Sequence, residues 1–299
     1  MLRKIRPLFL ICLLLIPLQL KAMDVPFPLI RSMAHFPFLE HGIQPAGTYS
    51  LAMQNSYTNI YVFDYDFNFV NDMESWDLGL VLRWGLKPLT LELHLNFITI
   101  QGGIFDAFIE NFHESFGYPV AGRDVFPRNQ VNFRYRDHFF HHNPRAAFLP
   151  LVVSAQRKLF SNENVFITGR AFLGLPLVRQ PGLSTDRNFA GIGLTAGWHS
   201  GRWSLSGGHY LAWIKAPSWL GEEGIKTQVF LLDWRISYGR FNCGLILKTS
   251  PLRHFEMANL ATMVTISWRI GRNIEIGIIE DLPPYDTTPD MGFFLRITF

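Results

Sequence analysis

Apolar and polar residues alternate with a period of two through most of this chain. The last segment is the clearest: Met291, Phe293, Leu295, Ile297 and Phe299 alternate with Gly292, Phe294, Arg296 and Thr298. Trp76, Leu78, Leu80, Leu82 and Trp84 alternate with Asp77, Gly79, Val81 and Arg83. Leu89 to Phe97 and Phe230 to Tyr238 repeat the pattern, and Leu260, Val264, Ile266, Trp268 and Ile270 share a face opposite Thr265, Ser267 and Arg269. Such a period sends successive side chains to opposite faces of a strand. Segments of about ten residues suit strands that cross a bilayer, with the apolar face on lipid and polar or small residues on the lumen. A soluble β-sandwich also alternates, but its strands usually run to about 5–6 residues. The apolar face here carries too many large side chains for a sandwich of this size to bury. The pattern predicts an all-β fold, an antiparallel transmembrane β-barrel. Trp84, Tyr238 and Trp268 fall near strand ends, where an interfacial aromatic girdle belongs.

The connections refine this. Barrels of this kind alternate short periplasmic turns with longer outer loops. Counting back from Phe299, 282–289 is long and Gly271–Arg272 short; 249–257 is long and Gly239–Arg240 short; 214–225 is long and Ser200–Gly201 short; 174–187 is long and 160–164 fairly short. The alternation continues if 101–145 is one outer loop, followed by the tight turn Gly85–Pro88. Residues 46–69 keep a single parity and read as one long first strand. The count is then about 12 strands, both termini periplasmic; if 46–69 holds more than one strand, 14 is the alternative.

Composition adds an address. Residues 1–22 have a basic start (Arg3, Lys4, Arg6), an apolar run from Leu8 to Leu20 and a small residue at Ala22, the layout of a cleavable secretory signal. The run is shorter than the ~20 residues a membrane helix needs. Removing its four basic residues takes the formal charge from +3 to −1, and nothing resembles a basic nucleic-acid surface. Cleavage also removes Cys12 and leaves Cys243, so no internal disulfide is expected. No later apolar stretch could span a membrane as a helix, which leaves a closed barrel. The expected organisation is a signal peptide at 1–22, a periplasmic segment or plug at 23–45 rich in Pro and aromatics, and an outer-membrane barrel at 46–299.

One stretch breaks the alternation. Phe105, Phe108, Ile109, Phe112 and Phe116 fall at helical spacing, with Gly102–Gly103 before them and Gly117 as a stop. This predicts a short amphipathic helix over 104–116 in the long outer loop. It could pack against the barrel mouth, fold inward as a constriction or touch the membrane surface. The run Gly102, Gly103, Asp106, Ile109, Glu110, Phe112, His113, Phe116 and Gly117, with Arg123 beyond and Leu82 to Leu86 before, resembles the hallmark of an uncharacterised family of exported proteobacterial proteins, a domain of unknown function. Where that family carries an acidic Asp-Gly-Glu step, this chain has Asn71-Asp72-Met73-Glu74. The resemblance implies an outer-membrane location and names no activity. The tail Phe293, Leu295, Ile297 and Phe299 likewise resembles the C-terminal signal of outer-membrane barrels, which implies recognition by the barrel-assembly machinery.

Candidate chemistry is sparse. By parity Arg83, Glu92, Arg235, Arg269, Glu275 and Arg296 point inward, each within a few residues of a periplasmic turn or the C-terminus. They predict one charged belt: a salt-bridged network that stiffens the lumen, or a selectivity ring whose excess of Arg over Glu favours small anions. Asp137, His138, His141 and His142 could hold a metal, but a loop offers no fixed geometry, and no metal or other cofactor is expected. His113, Glu114 and Ser115 do not face one another on a helix. Gly191-Ile-Gly193-Leu-Thr-Ala196 matches a loose dinucleotide fingerprint but lies inside a strand. The chain reads as a non-enzyme, a narrow passive channel for small solutes whose partners are outer-membrane lipid and no nucleic acid. The alternatives are a closed structural or surface-interaction barrel and, third, an outer-leaflet lipid-modifying enzyme.

Overall fold

The computed structural model describes residues 43–63, 69–103, 106–108, 111, 115, 129–220, 225, 227–251, 260–281 and 291–299. Among them fifteen strands form one antiparallel sheet: β1 (Tyr49–Phe63), β2 (Phe69–Leu86), β3 (Leu89–Gln101), β4 (Asn132–Tyr135), β5 (Phe139–His141), β6 (Arg145–Phe148), β7 (Leu151–Ser161), β8 (Val165–Leu175), β9 (Phe189–Ser200), β10 (Trp203–Trp213), β11 (Gln228–Tyr238), β12 (Phe241–Thr249), β13 (Leu260–Ile270), β14 (Ile274–Asp281) and β15 (Met291–Thr298). Twelve of them, all except β4, β5 and β6, close a ring in which each pairs with its chain neighbour and β15 pairs back onto β1. The seam runs from Ala52 opposite Thr298 to Asn59 opposite Met291, and the Phe299 N–H donates to the Leu51 carbonyl at 2.7 Å. Closure leaves no strand edge in lipid, which could not satisfy one.

The period-two pattern sets which side chains face out. Leu82, Leu194, Ile236, Ile276 and Phe293 are exposed on the outer wall, while their neighbours Arg83, Thr195, Arg235, Glu275 and Phe294 are buried inside. Exposed aromatics gather at the end with the short turns: Trp84, Trp203, Tyr238 and Trp268, with the Trp203 and Tyr238 rings 4.8 Å apart. The short turns after β9, β11 and β13 each begin with a glycine at positive φ (Gly201, Gly239, Gly271), a conformation tight hairpins need and side chains resist.

Two expectations change. Residues 46–69 are not one strand: β1 ends at Phe63 and β2 begins at Phe69. The single parity misled because the inserted reversal left the apolar alternation in step, and β2 already reaches well above Trp76. The count stays at twelve because the segment after the reversal extends β2 rather than adding a strand. Nor is 101–145 a plain loop. β4 pairs with the top of β2 where β3 has ended, β5 pairs with β4, and β6 pairs with the top of β3. These short strands raise the wall above the barrel. Between β6 and β7 the pairing shifts by one residue around Leu149–Pro150, a bulge at the one position where a proline removes a ladder donor.

The stretch 102–131 is therefore an insertion that leaves the wall at Gly102 and returns at Val131. Within the expected helix, Asp106, Ala107, Phe108, Asn111 and Ser115 are helical; Glu110, His113 and Arg123 lie outside the described residues, as do 1–42. The Asp106 carboxylate accepts from the Asn129 N–H at 2.8 Å and from Asn59 Nδ2 at 3.2 Å. Asn59 stands on the outward parity of β1, as do Tyr57 on β1, Glu74 on β2 and Gln101 on β3 around it, where Tyr57 donates to Glu74 and Gln101 donates to Tyr57. Asn59 and Glu74 are buried although they face away from the lumen. The start of the insertion is thus latched to the outside of the wall. Both glycines of the motif are required by this path. A Cβ on Gly102 would fall onto the Asn129 carbonyl, and one on Gly103 onto the Asp106 carboxylate. Gly102→Ala should destabilise the folded protein by about 1–3 kcal/mol, the usual cost of overpacking, read as a lower urea midpoint in detergent. An unchanged midpoint would show that the insertion does not need this path.

Candidate functional site

Each inward-facing residue of the expected belt sits near the short-turn end of its strand. Arg83 and Glu92 are register partners across β2 and β3, and Arg83 Nε donates to Glu92 Oε1 at 2.9 Å. Glu92 also receives Arg170 from β8, Ser154 Oγ at 3.0 Å and His94 Nε2 at 3.2 Å. A second group surrounds Glu275: Arg296 Nη1 at 3.3 Å, Ser267 Oγ at 2.5 Å and Asn242 Nδ2 at 3.1 Å. Arg296 continues to Gln54 on β1 at 2.6 Å. A third pair joins Arg235 Nε to Asp233 Oδ1 at 3.1 Å. Arg269, level with Glu275 by register, is half-buried. The structure thus brings five of the six residues into three groups, leaves Arg269 across from Glu275 without an ion pair among the described residues, and adds Arg170 and Asp233. Arg170 was missed because its outward neighbours Gly169 and Ala171 are small, so the β8 alternation is faint.

Above the belt the lumen changes character. Read from the periplasmic side, the inward positions run Thr90, Glu92, His94, Asn96, Ile98, Ile100 on β3; Ser237, Arg235, Asp233, Leu231, Val229 on β11; and Arg269, Ser267, Thr265, Met263, Ala261 on β13. On these three strands the polar positions give way to apolar ones, and Ile98, Ile100, Leu231, Val229, Met263 and Ala261 are all fully buried; on β2 the same levels are polar, with Asp77 opposite Ile98 and Ser75 opposite Ile100. Lys248 on β12 stands opposite Leu231 and is also fully buried. The outer connections add Leu183, Trp219, Leu220 and Ile225 to the same apolar cluster. The glycines of β9 that matched a dinucleotide fingerprint serve this packing: a Cβ on Gly191 would strike the Phe172 ring, and one on Gly193 the Tyr210 ring.

Of the candidate metal ligands, His141 turns inward and its Nε2 lies 2.9 Å from the Pro181 carbonyl, while His138 stacks on Tyr135 and His142 meets Phe140 edge-on. Among the described residues no three His, Cys, Asp or Glu side chains converge as metal ligands would. In the C-terminal tail Phe293, Leu295 and Phe299 are exposed on the outer wall and Ile297 is half-buried.

Residues 27–202, from before β1 to the turn after β9, match the family described as "Protein of unknown function (DUF3187)". The chain belongs to this family. The matched span contains the glycine pair, Asp106 and the outward cluster they dock on. No curated protein matches the chain. Among solved structures this DUF3187 member is similar to the COG4313 outer membrane channel from Pseudomonas putida F1, at 13% identity over 86% of this chain and 97% of that one, with a TM-score of 0.53. At that identity the likeness concerns the fold, which is that of outer-membrane barrels. Salmonella typhi OmpF in complex with daunomycin aligns more loosely, at 8% identity over 84% and 96% of the two chains and a TM-score of 0.32.

The belt makes a stability prediction. Glu92→Gln removes the one carboxylate between two buried arginines, and breaking a buried ion pair from one side costs about 3–5 kcal/mol. Urea unfolding in detergent should show a loss of that order, and less for the double variant Glu92→Gln plus Arg170→Met, which also removes a stranded charge. Equal losses for both would show that the Glu92–Arg170 contact is not the coupling.

Proposed function

We propose that this DUF3187 member is a narrow passive channel of the Gram-negative outer membrane for small solutes, with a belt at its periplasmic end that favours anions. The observation that carries the reading is the inward charge balance: five arginines (Arg83, Arg170, Arg235, Arg269, Arg296) against three carboxylates (Glu92, Asp233, Glu275) in the belt. Rings of fixed charge select ions of the opposite sign. The barrel's likeness to an outer-membrane channel supports the class. A second reading, a closed structural barrel, draws on the pairing of Glu92 and Glu275 with arginines. Biogenesis belongs to the same proposal: the tail Phe293, Leu295, Ile297 and Phe299 is the part the barrel-assembly machinery reads.

Residues 23–299, refolded and inserted in a planar bilayer, should give discrete steps in KCl with chloride preferred over potassium. Arg269→Ala should lower that preference without loss of folding, because Arg269 is half-buried and has no ion-pair partner among the described residues. A folded, inserted protein that gives no steps would move the reading to the closed barrel. Deleting Phe299 should reduce the folded protein in the outer membrane of cells while leaving refolding into detergent intact. Unchanged levels in cells would remove the tail from the assembly step.

A further inference from the structure

Twelve strands enclose more space than side chains can fill. Eight strands make an interior just wide enough for that, and width grows with strand number, so twelve give one roughly half as wide again. The longest inward side chains should therefore end in open water. They do not: Lys248, Tyr210, Arg170, Arg235 and Arg296 are all between 0% and 5% exposed. Another part of the chain covers them. The outer connections bring Leu183, Trp219 and Leu220 to one end. At the other end, where the arginines of the belt stand, β9, β11 and β13 are followed by tight turns with no length to fold inward. The chain before β1 enters at that end, on the inner side of the wall. The Gln44 N–H donates to Thr90 Oγ1 at 2.9 Å, and Ser50 Oγ donates to the Gln44 side chain at 3.3 Å. Ser50 lies opposite Arg83 and Thr90 two residues before Glu92, so both share the inward parity of the belt. Gly85, the next inward position after Arg83, leaves room for this entry: a Cβ there would fall onto the Pro45 carbonyl. Residues 23–42 come immediately before it. Twenty extended residues reach roughly 65 Å, well beyond the ~30 Å core of a bilayer. They carry two acids, Asp24 and Glu40, against one base, Arg31, which complements a belt of five arginines against three carboxylates.

We infer that residues 23–42 turn into the lumen as a plug that narrows it at the belt. The inference rests on the channel reading and names what sets the channel's width. Two measurements test it. The first is maleimide labelling of Ser32→Cys in residues 23–299, with Cys243→Ser so that the added thiol is the one that reacts. A plug slows labelling of the folded protein roughly tenfold or more relative to the same protein in urea, since reaction waits for local opening. Labelling of the folded protein at the unfolded rate marks a free tail; it would overturn the inference and leave the channel. The second measurement is step size in KCl for residues 44–299 against 23–299. Every strand of the ring lies after the cut, and heat-modifiability on gels reports whether the shortened protein has folded. Deletion of the plug should enlarge the steps severalfold, and steps of equal size from the two folded proteins would overturn it. If the shortened protein does not fold, the labelling result decides by itself. No steps from either protein, with Ser32→Cys protected, would overturn the channel reading and leave the plug.

Discussion

Every backbone N–H and C=O that meets lipid must be paired within the protein, and the β1–β15 seam is where this chain meets that demand. Without it the sheet would present two open edges. With it the ring of twelve strands is complete and the register of all of them is set. The seam joins residues 242 positions apart at the Arg296–Gln54 contact, so the last strand must be made before the first can be satisfied. The exposed terminal Phe299, bonded to Leu51, sits at that junction.

Once the ring is closed, alternation divides the side chains between two solvents. The outer wall takes Leu, Ile, Phe and Trp. The inner wall must pack twelve strands' worth of side chains into a narrow space, and it does so with two chemistries. Near the periplasm, charges are placed beside opposite charges and hydroxyls, as with Glu92 between Arg83 and Arg170. Buried charge is tolerable only when so compensated. Elsewhere aromatic rings lie over glycines of the next strand, Phe172 on Gly191 and Tyr210 on Gly193.

The inserted segment 102–131 shows how a family motif can be structural. Its glycine pair is dictated by close backbone and carboxylate approach, and Asp106 ties the segment to Asn59 and Asn129. The acidic stretch Asp72–Glu74 on β2 belongs to the same outward cluster, with Asp72 accepting from Asn132 of β4 and Glu74 from Tyr57 of β1. These are polar groups on the outer wall, buried against neighbours rather than left to lipid. Asp106 fixes the start of the segment on the outward side of β1.

The amino-acid sequence by itself determined the fold class, the strand count and the inward parity of Arg83, Glu92, Arg235, Arg269, Glu275 and Arg296. It could do so because a two-residue period and turn length are local properties, readable one strand at a time. It also pointed to the helix after Gly103, whose described residues are helical. Tertiary structure alone decided which charges meet. Arg170 reaches Glu92 from 78 residues away, a contact set by strand order around the ring and by the depth of each residue in the lumen. The same is true of the side of the wall to which Asp106 ties the start of the insertion. Leu231 and Met263 are unremarkable residues in their own strands. Register sets Met263 opposite Ile246 and Leu231 opposite Lys248, and pairing across strands is a property of the closed sheet that no single strand contains.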